Sequence, residues 1–178
     1  MKERNEVVLV DMYDREIGRS EKLAAHREGL LHRAFSVFLY RSGPHGRELL
    51  LQKRACGKYH CGGLWTNTCC SHPGAGEDVE ESARRRLTEE LGIGMDRLQE
   101  IHRFVYRAEF ANGLTEFEYD HVFLGEYDGP YTLDPEEVDE ITWVSIGDLM
   151  EDLRIHADRY TPWFLIAVKY VVEEIVGL

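Results

Sequence analysis

A helical stretch from 77 to 91, stopped by Gly92, stands between two pairs of strand-like segments. Ahead of it, residues 34–40 and 48–52 read as strands around the loop Ser42-Gly43-Pro44-His45-Gly46. Behind it, strands near 102–109 and 116–124 flank the turn Ala111-Asn112-Gly113. Strands on either side of a helix, without regular βαβ alternation, suggest an α+β fold, with a mixed β-sheet core flanked by helices, or a mixed-sheet sandwich. Weaker signals fill in the ends. Residues 7–10 read as a strand followed by a turn at Tyr13-Asp14-Arg15, and 20–26 as a capped helical turn opening at Ser20. Helices are expected near 146–153 and 162–175, the latter amphipathic.

Length and composition then bound the function. A chain of 178 residues fits one domain, 1–178, with a sizeable core, and its hydrophobic fraction of 43% argues against disorder. No apolar run approaches the roughly 20 residues needed to span a bilayer. The start, Met1-Lys2-Glu3-Arg4-Asn5-Glu6, lacks the apolar core of a signal peptide. A cytoplasmic monomer without membrane insertion is the expectation. A net charge of −12 excludes general affinity for nucleic acid, so an anionic substrate would need a local basic cluster. Cys56, Cys61, Cys69 and Cys70 crowd one segment in no zinc-binding or disulfide pattern, and read as free thiols.

The segment Thr66-Asn67-Thr68-Cys69-Cys70-Ser71-His72-Pro73 carries chemistry-bearing residues just ahead of the acidic helix. In an extended chain, side chains at i and i+2 share a face, so Cys70 and His72 would look into one space while Cys69 points away. A thiol beside an imidazole suits catalysis or metal binding; buried cysteines acting as small hydrophobes are the bland reading.

The spacing of Ser71, Glu77, Arg85, Leu87, Glu89, Glu90, Gly92 and Ile93 resembles the Nudix box, a loop–helix–loop whose glutamates bind divalent metal at a diphosphate. Two positions depart from it: Ser71 replaces the usual glycine and Arg86 a usual glutamate. Hydrolysis needs carboxylates to hold metal and orient water, whereas an arginine favours holding a diphosphate. In the same order as in one branch of that superfamily come Gly29-Leu30-Leu31-His32-Arg33-Ala34-Phe35-Ser36, Trp65 through Pro73, Glu116-Phe117-Glu118 and Thr161-Pro162-Trp163-Phe164. Together they resemble the type 1 isopentenyl-diphosphate Δ-isomerases over about residues 5–175. A Nudix pyrophosphohydrolase and a non-catalytic Nudix-fold binding protein are the alternatives. Arg86 opposes the first, and the retained Cys70, Glu118 and histidines oppose the second.

The resemblance implies interconversion of isopentenyl and dimethylallyl diphosphate, with a small isoprenyl diphosphate as the only partner. It makes His26, His32, His72, Glu116 and Glu118 ligands of a divalent ion (Mn²⁺, Zn²⁺ or Mg²⁺). A separate Mg²⁺ bridging the diphosphate would be held by Glu90 and the Cys70 carbonyl. Lys22, Arg54, Lys58 and Arg86 would grip the diphosphate. Glu118 is the implied proton donor to the alkene and Cys70 the thiolate acceptor, which requires its pKa to fall or be matched. Tyr106 would assist Glu118, and Trp163 would face the cationic intermediate. The loop Tyr59-His60-Cys61-Gly62-Gly63-Leu64 departs from the resemblance: Gly62 replaces a proline, which points to a more mobile loop.

Overall fold

A computed structural model describes residues 5–58 and 60–177; residues 1–4, part of the stretch read for a signal peptide, and Tyr59 lie outside the described residues. The long strand β3 (His32–Gly43) organises the sheet, with an unbroken buried run from Ala34 to Leu39. Burial on both faces explains why that run shows little polar alternation in sequence. One edge of β3 lies parallel to β8 (Thr115–Glu126), which sets His32 opposite Glu118. Its other edge is shared among Leu9 of β1 (Glu6–Val10), then β6 (Cys69–Ser71), then β4 (Gly46–Arg54). Outward from these, β2 (Glu16–Glu21) pairs with β1, β7 (Gln99–Glu109) with β8, and both β5 (Trp65–Thr66) and β9 (Val138–Ser145) with β4. Among the strand-to-strand pairings of the described residues only β3–β8 is parallel, which makes the sheet mixed.

Alternation along the strands sorts the core into two layers. Phe35, Val37 and Leu39 of β3, with Leu50 and Cys69, pack with Ala83, Leu87 and Leu91 of α2 (Val79–Leu91). On the other face Phe38, Leu49, Leu51, Val122 and Leu124 pack with Leu149 of α3 (Ile146–His156) and Phe164, Ala167, Val168 and Val171 of α4 (Pro162–Val176). The helix expected from 77 begins at Val79, because the Asp78 carboxylate caps it by accepting from the Glu81 N–H. Gly92 ends it in the left-handed conformation at φ 63°, where its N–H reaches the Leu87 and Thr88 carbonyls.

One local expectation shifts. Helix α1 (Lys22–Glu28) is capped by Glu21, and Ser20 sits on β2. The acidic run 134–140 passes through a turn into β9 at Val138.

One end of the second layer changes character. On β8 the face of Leu124 and Val122 continues through Asp120, Glu118 and Glu116, and on β3 the face of Phe38 continues through Ser36, Ala34 and His32. The apolar layer therefore opens into a polar chamber, and the first turn of α4 reaches over it. No helix among the described residues is long and apolar enough to cross a membrane.

Candidate active site

The chamber gathers donors from four elements. His26 comes from the last turn of α1, His32 from the start of β3, His72 from just beyond β6, and Glu116 and Glu118 from β8. One ligand atom from each of these five residues lies within 4.8 Å of all the others. His26 Nε2 is 3.2 Å from Glu116 Oε1, and His72 Nε2 is 2.8 Å from Glu118 Oε1. His32 Nε2 stands 3.5 Å from that same Glu118 oxygen.

Two of the imidazoles are set by backbone carbonyls. The Nδ1–H of His26 donates to the Lys22 carbonyl at 2.6 Å, and that of His32 to the Leu30 carbonyl at 2.8 Å. A carbonyl can only accept, so the proton is on Nδ1 and each Nε2 is turned inward. Among the described residues no hydrogen bond reaches the buried His32 Nε2 or the buried Glu116 Oε2. Buried polar atoms left in this way are what a cation would satisfy. Three imidazoles and two carboxylates suit a divalent ion, so the residues fit the metal that the motifs imply.

Electrostatics separates the carboxylates. Burial opposes ionisation of Glu116, but the His26 and His60 imidazoles beside it outweigh burial and hold its carboxyl well below the usual range. Glu118 is pushed upward by burial and by the Glu116 charge, yet His32 and His72 bring it below its ordinary value. Burial lowers His72 to about 4, so its ring is neutral and able to ligate. Farther along the strand Asp120 is pushed well up by burial, and it accepts from the Ser36 hydroxyl at 2.8 Å.

A cleft of about 450 Å³ adjoins this cluster. Cys70, Tyr106, Trp163, Lys22, Arg54 and Lys58 line it together with His72, Glu116 and Glu118. Cys70 and His72 share it while Cys69 lies in the apolar layer, as alternation requires. Tyr106 lies opposite Glu118 in the β7–β8 ladder and donates its hydroxyl to Glu118 Oε2 at 2.5 Å. Arg54 approaches the Cys70 sulfur at 3.5 Å, and its guanidinium lies 5.3 Å from the Trp163 ring centre. Burial pushes the Cys70 thiol up to about 12, although the Arg54 charge pulls the other way. The fall expected for a thiolate is absent.

Trp163 is held by residues that sequence reasoning passed over as mere parts of a motif. Its indole N–H donates to Asn67 Oδ1 at 3.2 Å, and the Asn67 amide donates to the Cys69 and Val37 carbonyls at 2.6 and 3.2 Å. Thr66 donates to the same Asn67 oxygen, and its hydroxyl also pairs with that of Thr161, each at 2.8 Å. The thiol segment and the start of α4 are thereby locked together, which fixes the indole over the cleft.

Arg86 and Glu90 are not among the residues lining the cleft. Arg86 is buried against carboxylates, with Glu90 at 2.6 Å, Glu89 at 3.0 Å and Glu137 at 3.4 Å. Glu137 also pairs with Lys58. This mixed-charge cluster lies beside the thiol segment, and Glu90 is near enough to Cys69 to hydrogen bond with it.

The fold and this donor set define a Nudix-type protein, and a family model described as the NUDIX domain matches residues 30–164. Solved structures show the same fold. DR0079 of Deinococcus radiodurans superposes with a TM-score of 0.68 at 21% identity, over 88% of this chain and 91% of that one. The NUDIX domain of Shewanella oneidensis NrtR, complexed with ADP ribose, superposes at 0.64 and 14% identity, over 81% of this chain and 86% of that one. Sequence relatives narrow the class. The chain is 49% identical to the isopentenyl-diphosphate Delta-isomerase of Photobacterium profundum, over 96% of each. It is 46% identical to isopentenyl-diphosphate Delta-isomerase 2 of Aromatoleum aromaticum, over 95% of this chain and 87% of that one. The chain belongs to the isopentenyl-diphosphate Delta-isomerase family, and it is an isomerase.

Proposed function

We infer that this enzyme interconverts isopentenyl diphosphate and dimethylallyl diphosphate. The observation that carries the reading is the pairing of a half-buried thiol and a buried carboxylate, Cys70 and Glu118, on one cleft whose wall includes an indole face. The reaction adds a proton to the terminal methylene of the alkene and removes one from C2, passing through a tertiary carbocation-like species. It needs one group that gives a proton, a second that takes one, and a dry wall for the charge between them.

Glu118 gives the proton to the methylene, with Tyr106 fixing its Oε2, and Cys70 removes the C2 proton; in reverse the roles exchange. Each forward turnover moves one proton from Glu118 to the alkene and one from C2 to Cys70, so a proton must pass back to Glu118, and one leave Cys70, before the next. Trp163 presents its ring to the cation, an attraction worth about 2 kcal/mol when desolvated. Lys22, Arg54 and Lys58 supply the local positive charge that a chain of net charge −12 otherwise lacks.

His26, His32, His72, Glu116 and Glu118 would hold a divalent ion (Mn²⁺, Zn²⁺ or Mg²⁺), which would orient and polarise the carboxylates. Glu90, with the Cys70 carbonyl, would hold a Mg²⁺ that neutralises the diphosphate, and Arg86 keeps the Glu90 carboxylate in place. The substrate is a small isoprenyl diphosphate handled by a single domain, and the enzyme acts as a cytoplasmic monomer.

The test is ³¹P and ¹H NMR of metal-loaded protein with isopentenyl diphosphate. Dimethylallyl diphosphate with the diphosphate intact, formed by wild type and lost in Cys70→Ala and Glu118→Gln, supports the reading. Release of phosphate or of a monophosphate ester would favour a pyrophosphohydrolase.

A further inference from the structure

The steps above give no task to His60, which also lines the cleft. His60 belongs to the loop between β4 and β5 and is 7% exposed. Its Nε2 meets Glu116 Oε1, the carboxylate oxygen that His26 also approaches. One face of its ring is stacked on Phe110 in the β7–β8 turn, with centroids 5.1 Å apart and planes 8° from parallel. Its ring stands edge to face with Trp163 at 6.0 Å and 87°. Its carbonyl accepts from Arg54 at 3.4 Å. A single side chain therefore touches a candidate metal ligand, the indole, and the hairpin that carries both Glu116 and Tyr106.

We propose that His60 is a positioning residue: it ties down one oxygen of Glu116 so that Oε2 is kept for the ion, and with Phe110 it walls the cleft beside Trp163. The inference rests on the reading of Glu116 as a metal ligand. A carboxylate with two equivalent oxygens can swing between one-point and two-point ligation; a donor fixed on one oxygen removes that freedom. Only an aromatic ring with an N–H at its edge meets both demands here. Phenylalanine would stack on Phe110 but donate nothing, and glutamine would donate but not stack. Through this ring the loop in which Gly62 replaces a proline meets Phe110 and Glu116. Gly62 also sits where a Cβ would come within 2.7 Å of the Cys56 carbonyl oxygen, so the tight turn that presents His60 excludes a larger residue.

The experiment measures Mn²⁺ affinity by electron paramagnetic resonance of the free ion, alongside kcat and KM for isopentenyl diphosphate. The variants are His60→Phe, His60→Gln, Phe110→Ala and Glu116→Gln, with folding checked by circular dichroism. His60→Phe should weaken Mn²⁺ binding roughly 10- to 100-fold, the usual effect of losing a group that orients a ligand. His60→Gln should recover most of that affinity yet keep a lowered kcat with KM near wild type, and Phe110→Ala should lower kcat at unchanged Mn²⁺ affinity. Unchanged affinity in His60→Phe, with affinity lost in Glu116→Gln, overturns the role of His60 and leaves the metal site standing. Unchanged affinity in both overturns the ligand reading of Glu116 itself. If His60→Phe does not fold, a wild-type kcat in folded His60→Gln, or Mn²⁺ affinity lost in it as fully as in Glu116→Gln, overturns the proposal.

Discussion

Replacing Asn67 by alanine tests whether the polar network beneath Trp163 serves catalysis or only packing. Asn67 is fully buried and bonds the indole N–H, two carbonyls and the Thr66 hydroxyl. Thr66 keeps Thr161 as a partner, so the groups that lose most are the Trp163 N–H and the Cys69 carbonyl. At about 1–3 kcal/mol for each buried group left unsatisfied, the expected loss of stability is about 3 kcal/mol. That is a large share of a total of about 5–15 kcal/mol, and it should appear as a lower urea midpoint at unchanged slope. Catalysis should suffer separately. If the freed indole loses its place over the cation, the forfeited ~2 kcal/mol corresponds to a kcat about 30-fold lower, with KM little changed. The control is Trp163→Phe, which keeps an aromatic face and leaves Asn67 bonded to Thr66; it should lose less stability and less kcat than Asn67→Ala. Stopped assays well below the urea transition separate the two effects. A kcat within threefold of wild type in folded Asn67→Ala would refute the claim that the network positions the indole.

Other outcomes follow from the same structure. In chelator, the metal-free protein should lose stability as pH falls from about 6.5 toward 4, because His72 takes up its proton in the unfolded chain before the folded one. The depressed folded value gives a contribution fully present above 6.5 and worth about 3 kcal/mol. The pH slopes of urea midpoints for wild type and His72→Gln should differ in that window and coincide above it. Removing metal should leave circular dichroism unchanged but abolish turnover, which returns on adding Mn²⁺ or Mg²⁺. Gly92→Ala should cost about 1 kcal/mol in thermal unfolding, because Gly92 holds φ 63° and Thr132 lies 3.4 Å from where the new Cβ would stand.

What the sequence made legible depended on how local the signal was. Strand β3 announces itself by an apolar run, and α2 by its stop at Gly92. Cys70 and His72 follow from the two-residue period of an extended chain. Strand β2 does not, because Glu16-Ile17-Gly18-Arg19-Ser20-Glu21 lies along the outside with no buried residue and so carries no hydrophobic period. For the same reason Ser20 passes for a helix cap until Glu21 is seen to do the capping. The five clustered donors were readable only through resemblance, since parallel pairing of β3 with β8 brings together residues far apart in the chain. His60 carries no such signal: it stands in a glycine-rich loop, and only the fold sets it against Glu116 and Phe110. The role of Cys70 requires its pKa to fall or be matched, and sequence does not show that burial there outweighs the Arg54 charge and raises it. The expected diphosphate contact of Arg86 likewise competes with three carboxylates that already surround it.

The central claim is that two groups on one cleft move protons onto and off the same alkene. Running the metal-loaded enzyme on isopentenyl diphosphate in deuterium oxide, and reading the first-formed dimethylallyl diphosphate by NMR, tests it most directly. Solvent deuterium in a single methyl group, absent with Glu118→Gln, is the predicted result. A first-formed product without deuterium would mean that the proton travels within the substrate, and would contradict the account.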